Sequence, residues 1–359
     1  MKISKLKMSI LIMFAACASV FATPNIPNVP VSPESDFNYE LTYDMSGVKI
    51  TEYKGSSNSV NIPEKIEGMP VTQLASKLFY KTNIETAIIP DSVTDLGENL
   101  FNSCRNLKYV KLPSGITALP EGIFSRCESL SEFEIPSTVT SIGSYAFCGS
   151  GIRSIVIPDT VKFTAYSYGV LADCEKLESV KLPSNMTVIP GGFFSDSTAI
   201  KKIGLPAKVT EIGAKAFKGC ASLEQITMPI GLKKIKENAF NNMKSLKSFV
   251  MPDSVTEIEG GLFAHCDSLE TLHLSDSLKK VPVSTYSPCA SLKTVNIPKS
   301  AEEVCCWSTD RLPKTVTELI IPESLTKVKF GDRYFENVKL PLLVQKRLRD
   351  LGYTDKFGN

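Results

Sequence analysis

The residues able to do chemistry in this 359-residue chain are few and scattered. There are 2 histidines, His265 and His273, and 10 cysteines. A zinc centre needs three or four converging ligands, and no C-x-x-C pair starts one. A Ser/His/Asp centre on His273 would require a nucleophile elbow or a similar signature, yet G-x-S-x-G is absent. The phosphate-cradling loops G-x-x-x-x-G-K-[ST] and G-x-G-x-x-G are absent too. The sequence therefore points to no catalytic, cofactor or metal residue. An enzyme centre would have to sit in the irregular stretch 300–315.

Cysteine needs a separate account, because six of the ten (Cys104, Cys127, Cys174, Cys220, Cys266, Cys289) recur at a common spacing. One explanation is a buried spine, since free cysteine is a good small core residue. The other is disulfide pairing between neighbours such as Cys104 and Cys127, whose Cα separation would fit a bridge. Cys148 lies off that spacing, and Cys305 and Cys306 are adjacent and irregular.

The elements that position all these residues come from one repeated pattern, apolar-x-x-apolar-x-apolar-Pro. It runs Leu107-Lys-Tyr-Val110-Lys-Leu112-Pro113 and Leu292-Lys-Thr-Val295-Asn-Ile297-Pro298. The first apolar residue falls at 84, 107, 130, 152, 177, 200, 223, 246, 269, 292 and 316. A period near 23 lies in the leucine-rich-repeat range. The alternation predicts a short strand with one buried face, which proline ends because it has no N–H for a ladder. A second apolar pair follows, as in Val139-Thr-Ser-Ile142. Eleven residues past the proline stands an aromatic: Phe101, Phe124, Phe147, Phe194, Phe217, Phe240 or Phe263. The spacing by three from aromatic to cysteine to the next leucine predicts a short helix or helical turn. The fold class is thus an α+β repeat solenoid, with stacked coils sharing one core.

The ends differ from the middle. Residues 1–22 have a lysine-bearing start, an apolar run and Val20-Phe21-Ala22, which together form a secretory signal peptide. Phe14-Ala15-Ala16-Cys17 offers a second route, lipidation of Cys17, which would tether the protein to a membrane without spanning it. No later apolar run is long enough to cross a bilayer. Residues 23–37 form a Pro-rich linker. Residues 38–80 form an N-terminal cap, a β-hairpin plus extra strand, with a degenerate first repeat. The solenoid occupies 81–340, and 341–359 holds a C-terminal capping helix and tail. Lys plus Arg (40) nearly balances Asp plus Glu (38), which gives no electrostatic footprint for nucleic acid.

These repeats resemble the BspA-like leucine-rich-repeat family, whose repeat is similar to the segments Ile89–Leu107, Ile135–Ser150, Leu205–Leu223 and Met251–Leu269. The resemblance covers residues 38 to about 330. It implies a curved solenoid exported by host-associated microbes, some relatives being adhesins for matrix proteins or other microbes. The chain departs from the pattern twice. The repeat starting at Ile157 runs two residues long and lacks the aromatic (Gly169, Val170), and Ser300 to Lys314 has lost the motif.

Two outward columns follow from the strand pattern. One begins at Tyr109 and runs through Ser248, Thr271 and Thr294; the other contains Lys111, Glu134, Val156, Lys181, Val250, His273, Asn296 and Ile320. These are either plain solvated positions or a contact surface on the concave sheet. Aromatic and apolar members such as Tyr109, Val250 and Ile320 favour contact. Trp307, the one tryptophan, lies where the repeat breaks and is a further candidate. The expected partner is an extracellular or cell-surface protein, host matrix included. A structural envelope component without a ligand is the alternative.

Overall fold

A computed structural model of the chain describes residues 27–282, 284–304 and 311–358. It is a stack of coils whose strands and turns line up in three parallel ladders, the first two of them broken into several hydrogen-bonded sheets. The first ladder uses three-residue strands such as Ser248–Val250, Thr271–His273, Thr294–Asn296 and Glu318–Ile320, paired in that order. The second uses two-residue strands such as Val188–Ile189, Glu211–Ile212, Lys234–Ile235 and Glu257–Ile258. Two residues suffice because each strand borrows its neighbours' register: Ile189, Ile212, Ile235 and Ile258 stack one above another. All of them are buried.

The third ladder runs through the turns around the aromatic slot, and here the expected helical turn is corrected. Among the described residues the one α-helix is α1, Leu342–Asp350. From Phe79 to Phe263 the segment around each slot residue is a string of turns with two left-handed residues, two before and two after it: Asn99 and Ser103 about Phe101, Gly122 and Arg126 about Phe124. A helix cannot pass through such residues. Their N–H groups instead reach the next coil, as in Asn99 to Glu121 O (2.8 Å), Phe101 to Ile123 O (3.0 Å) and Ser103 to Ser125 O (2.7 Å). The intervening N–H groups close back three residues, as Cys104 does on Phe101 O (3.0 Å). We call this side of the stack the turn face, and the first ladder's outer side the strand face.

The same hydrogen bonds fix the coil count. The residues in the aromatic slot are Phe79, Phe101, Phe124, Phe147, Leu171, Phe194, Phe217, Phe240, Phe263, Tyr286, Leu312 and Phe335, which gives twelve coils. Leu171 holds the slot in the long coil: Phe147 N–H reaches Val170 O (3.0 Å) and Leu171 N–H reaches Phe193 O (2.9 Å). The two extra residues lie between Val161 and Gly169, which shifts the slot two places beyond Gly169. Phe163 and Phe193, edge to face at 5.1 Å, add ring volume beside the smaller leucine.

The rings on either side of Leu171 stack in parallel. Centroids are 5.3, 5.8 and 5.6 Å apart from Phe79 to Phe147, and 5.3, 5.8 and 5.4 Å apart from Phe194 to Phe263. All eight rings are fully buried. Offset stacking of this kind adds to the area term in a continuous core.

The cysteine spine is resolved in the same frame. The seven cysteines among the described residues are free, so the cross-coil disulfide alternative is set aside for them. Each spine thiol donates to the carbonyl of the previous coil's slot aromatic: Cys104 to Phe79 O (2.8 Å), Cys127 to Phe101 O (3.2 Å), Cys220 to Phe194 O (3.1 Å) and Cys289 to Phe263 O (3.0 Å). Ser197 does the same to Leu171 O at 2.7 Å. The slot thus favours a small buried side chain with one proton to give.

At the N-terminal end β1 (Phe37–Leu41) pairs antiparallel with β2 (Val48–Tyr53), and β2 runs parallel to β5 (Met69–Leu74). β3 (Ser59–Asn61) opens the first ladder, and β4 (Lys65–Ile66) turns back on β5. The stretch read as a linker is tied down from Val29 onward: Asn61 Nδ2 donates to Val29 O (2.8 Å) and Ser32 N–H to Asn61 O (2.8 Å). At the other end α1 follows Pro341 and buries Leu348, while Leu342 and Leu343 stay exposed. Arg347 of α1 donates to carbonyls of Pro322, Glu323 and Leu325 on the last coil.

Candidate binding surface

The strand face is positioned by the first ladder, whose register settles which side chains align. Ser248, Thr271, Thr294 and Glu318 stand in one column, and Thr294 Oγ1 donates to Glu318 Oε2 at 3.0 Å. In the other column Val250 pairs with His273, and Val156 with Lys181. Val250 is 68% exposed, Val156 43% and Ile320 42%. These are β-branched residues on a solvated strand face, where the ladder itself asks only for an extended backbone. Lys181 is exposed, while Tyr109, Lys111 and His273 are half-buried. Burial raises the Tyr109 phenol above its ordinary pKa.

Two members of the expected column behave differently. Asn296 is buried at 4% and does not face solvent. Its amide turns along the strand, with Oδ1 accepting from Leu274 N–H (2.6 Å) and Nδ2 donating to Leu274 O (2.9 Å). In other coils the residue before the proline donates to the next coil's last strand carbonyl, as Met251 does to His273 O (2.8 Å). Ser275 replaces that proline here, and the Asn296 side chain replaces the carbonyl. Glu134 is exposed but lies in 131–134, which forms no strand, so the ladder is interrupted between Tyr109–Lys111 and Ser154–Val156. Cys17 and Trp307 lie outside the described residues.

A second exposed region was not legible as a site. On the turn face an open groove of about 440 Å³ crosses four coils, with Tyr80 at one end and Tyr145 at the other. Its parts come from different coils and share no sequence motif. The hint in the sequence was Tyr145 itself, an aromatic two residues ahead of the slot phenylalanine, where the other described coils place Gly, Asn, Lys, Ser or Arg. Cys148 lines the groove, and desolvation followed by the Asp173 carboxylate pushes its thiol up to about 12.

Charge on the molecule is mostly matched from coil to coil. Lys108 meets Glu85 (2.6 Å), Lys234 meets Glu257 (2.6 Å) and Lys293 meets Glu270 (2.8 Å), each pair 23 residues apart. Exposed pairs of this kind are worth about 0–1 kcal/mol each. Their effect is a surface without a single-sign field. Among the described residues no helix is long and apolar enough to cross a membrane.

Parallel coils of this period around a stacked apolar core define a leucine-rich-repeat solenoid. The BspA-type leucine-rich-repeat model matches residues 52–168, 105–223 and 210–341, and the chain belongs to that family. Solved structures agree on the fold. A leucine-rich repeat protein from Bacteroides ovatus aligns with a TM-score of 0.66 at 24% identity, over 92% of this chain and 99% of its own. A leucine-rich cell surface protein from Faecalibacterium prausnitzii aligns at 0.58 and 24%, over 92% and 100%. The pneumococcal vaccine antigen PcpA aligns at 0.50 and 17%, over 77% of each chain. No curated protein matches the chain's sequence.

Proposed function

We propose that this chain is an exported protein, displayed at or outside the cell surface, that binds a protein partner through its strand face. The observation that carries the reading is the exposure of Val156, Val250 and Ile320 at the same outward position of the strand-face repeat. Val250 and Ile320 are three coils apart, roughly 14 Å at the usual strand spacing. A rigid scaffold that holds β-branched side chains, with few rotamers to lose, loses little side-chain entropy on ordering them in a complex. His273 and Lys181 stand beside them and supply polar contacts. The N-terminal lysines and apolar run, with either cleavage after Ala22 or lipidation at Cys17, are the route to export, and the surface location named for the Faecalibacterium protein accords with it.

The test is surface plasmon resonance of the purified chain over immobilised host matrix proteins. Saturable binding that weakens about tenfold or more in a Val250→Asp, Ile320→Asp variant is the expected result, the usual loss when a central contact is truncated. No saturable partner, or a partner bound equally by the variant, would overturn the reading.

A further inference from the structure

The turn-face groove carries a separate inference. Tyr145 sits in the left-handed region at φ 57°, where a bulky side chain is strained, and its ring is 40% exposed. The surroundings hold that ring in place. It lies against Gly169, where a Cβ would come within 2.7 Å of it. Tyr168 packs beside it at 5.7 Å between centroids, and Gly191 and Gly192 make room for Tyr168 in turn. The two residues added to this coil fall just before Tyr168. At the opposite end Tyr80 is 39% exposed, with the Lys81 ammonium 4.9 Å from its ring centroid.

Between the two rings the floor is polar and only partly used. Asn102 Nδ2 donates to Asn99 Oδ1 (2.8 Å) and Ser103 Oγ to Asn102 Oδ1 (2.8 Å), which fixes the amide orientations. The Asn99 amide hydrogens have no partner among the described residues. Ser125 is 7% exposed and its hydroxyl has no partner among the described residues. Glu121 and Arg126 line the same groove and are likewise without an ion-pair partner among them. Gly122 keeps the floor low, since a Cβ there would meet Asn99 Oδ1 at 2.3 Å.

We propose that this groove binds a short oligosaccharide. A sugar ring is apolar on its C–H faces and polar around its edge. Tyrosine rings suit the faces through their negative π clouds, and neutral amides, hydroxyls, one carboxylate, one guanidinium and the Lys81 ammonium suit the edge hydroxyls. Three coils separate Tyr80 from Tyr145, roughly 14 Å, which is room for roughly two or three sugar rings. An apolar peptide or a lipid would strand the floor groups without partners. A phosphate alone would find Arg126 and Lys81 but would leave both tyrosine rings uncovered.

The site is distinct from the strand face, so its test does not depend on the protein partner. Ligand-observed NMR and calorimetry on the full chain would use maltotriose, mannotriose, triacetylchitotriose and sialyllactose. At least one should bind with a Kd at or below about 1 mM. Tyr145→Ala should weaken it about tenfold or more, Tyr80→Ala should weaken it too, and Ile230→Ser, a change at an exposed turn residue away from the groove, should leave it unchanged. Circular dichroism confirms that each variant is folded, and Tyr80→Ala decides the matter if Tyr145→Ala does not fold. The inference is overturned if none of the four sugars binds below about 10 mM, or if a folded variant lacking either ring binds like the parent chain.

Discussion

Replacing Phe217 with alanine removes a ring from inside the second uninterrupted stack. Phe217 is fully buried, with neighbouring centroids at 5.3 Å (Phe194) and 5.8 Å (Phe240). Backbone on both sides is held by ladder hydrogen bonds, Phe194 N–H to Ala216 O (2.8 Å) and Phe217 N–H to Ala239 O (2.8 Å), so the site cannot collapse far. A cavity with little relaxation puts the cost in the range of about 3–5 kcal/mol. Phe217→Leu should cost less than Phe217→Ala because it leaves a smaller cavity, though no rings like Phe163 and Phe193 beside Leu171 fill the difference. Tyr166→Ala, at 89% exposure, should stay within about 0.5 kcal/mol of the parent. Urea unfolding followed by circular dichroism reads all three. Weakening one interface in a one-dimensional stack should also broaden the transition, because the halves on either side lose coupling. The reasoning fails if Phe217→Ala unfolds at the parent midpoint, since a ring shared by two coils cannot be lost that cheaply.

Other consequences follow from individual side chains. The spine thiols of Cys127, Cys220, Cys266 and Cys289 are raised above their ordinary values, chiefly by desolvation, so a thiol reagent near pH 8 should leave them unmodified until the chain is unfolded; rapid native labelling of these four would contradict the spine. Asn296→Leu strips both hydrogen bonds from the Leu274 backbone and should cost about 1–3 kcal/mol in the same urea assay, whereas a shift within about 0.5 kcal/mol would show that water replaces the amide. Asp44 accepts hydrogen bonds from Thr42 and Ser46, which hold its carboxyl at about 2 against an ordinary 3.8. A depressed folded-state pKa gives stability that is present above pH 4 or so and is lost as pH falls toward 2. A carbonyl-detected NMR titration should find that low midpoint, and an ordinary one would remove the turn's contribution.

The repeat was legible because its period is written in residue types that each have one physical job. Proline ends the strand at Pro113 and Pro298, and the slot phenylalanines and cysteines recur in step with it. The column register followed directly, since a parallel ladder with a fixed period aligns equivalent residues. The turn segment was misread because spacing by three is shared by a helix and by turns that close three residues back. What separates them is the left-handed backbone at residues such as Asn99, Ser103 and Arg126, and only some coils mark that with glycine. Asn296 was placed outside because its column said so, and the sequence shows no reason for its amide to turn onto Leu274 except the missing proline at Ser275. The groove between Tyr80 and Tyr145 depends on four coils at once, and on glycines whose role shows only when the rings lie on them.

The stack itself is tested most directly by distances along one column. Spin labels at Ser154 paired with Ser248 or Thr294 lie four and six coils apart, in a chain with Cys17, Cys148, Cys305 and Cys306 changed to serine. Pulsed dipolar spectroscopy should give backbone separations near 19 Å and 29 Å, growing by about 4.8 Å per coil. Distances that fail to increase with coil number, or that spread into broad overlapping distributions, would contradict a single continuous stack of coils.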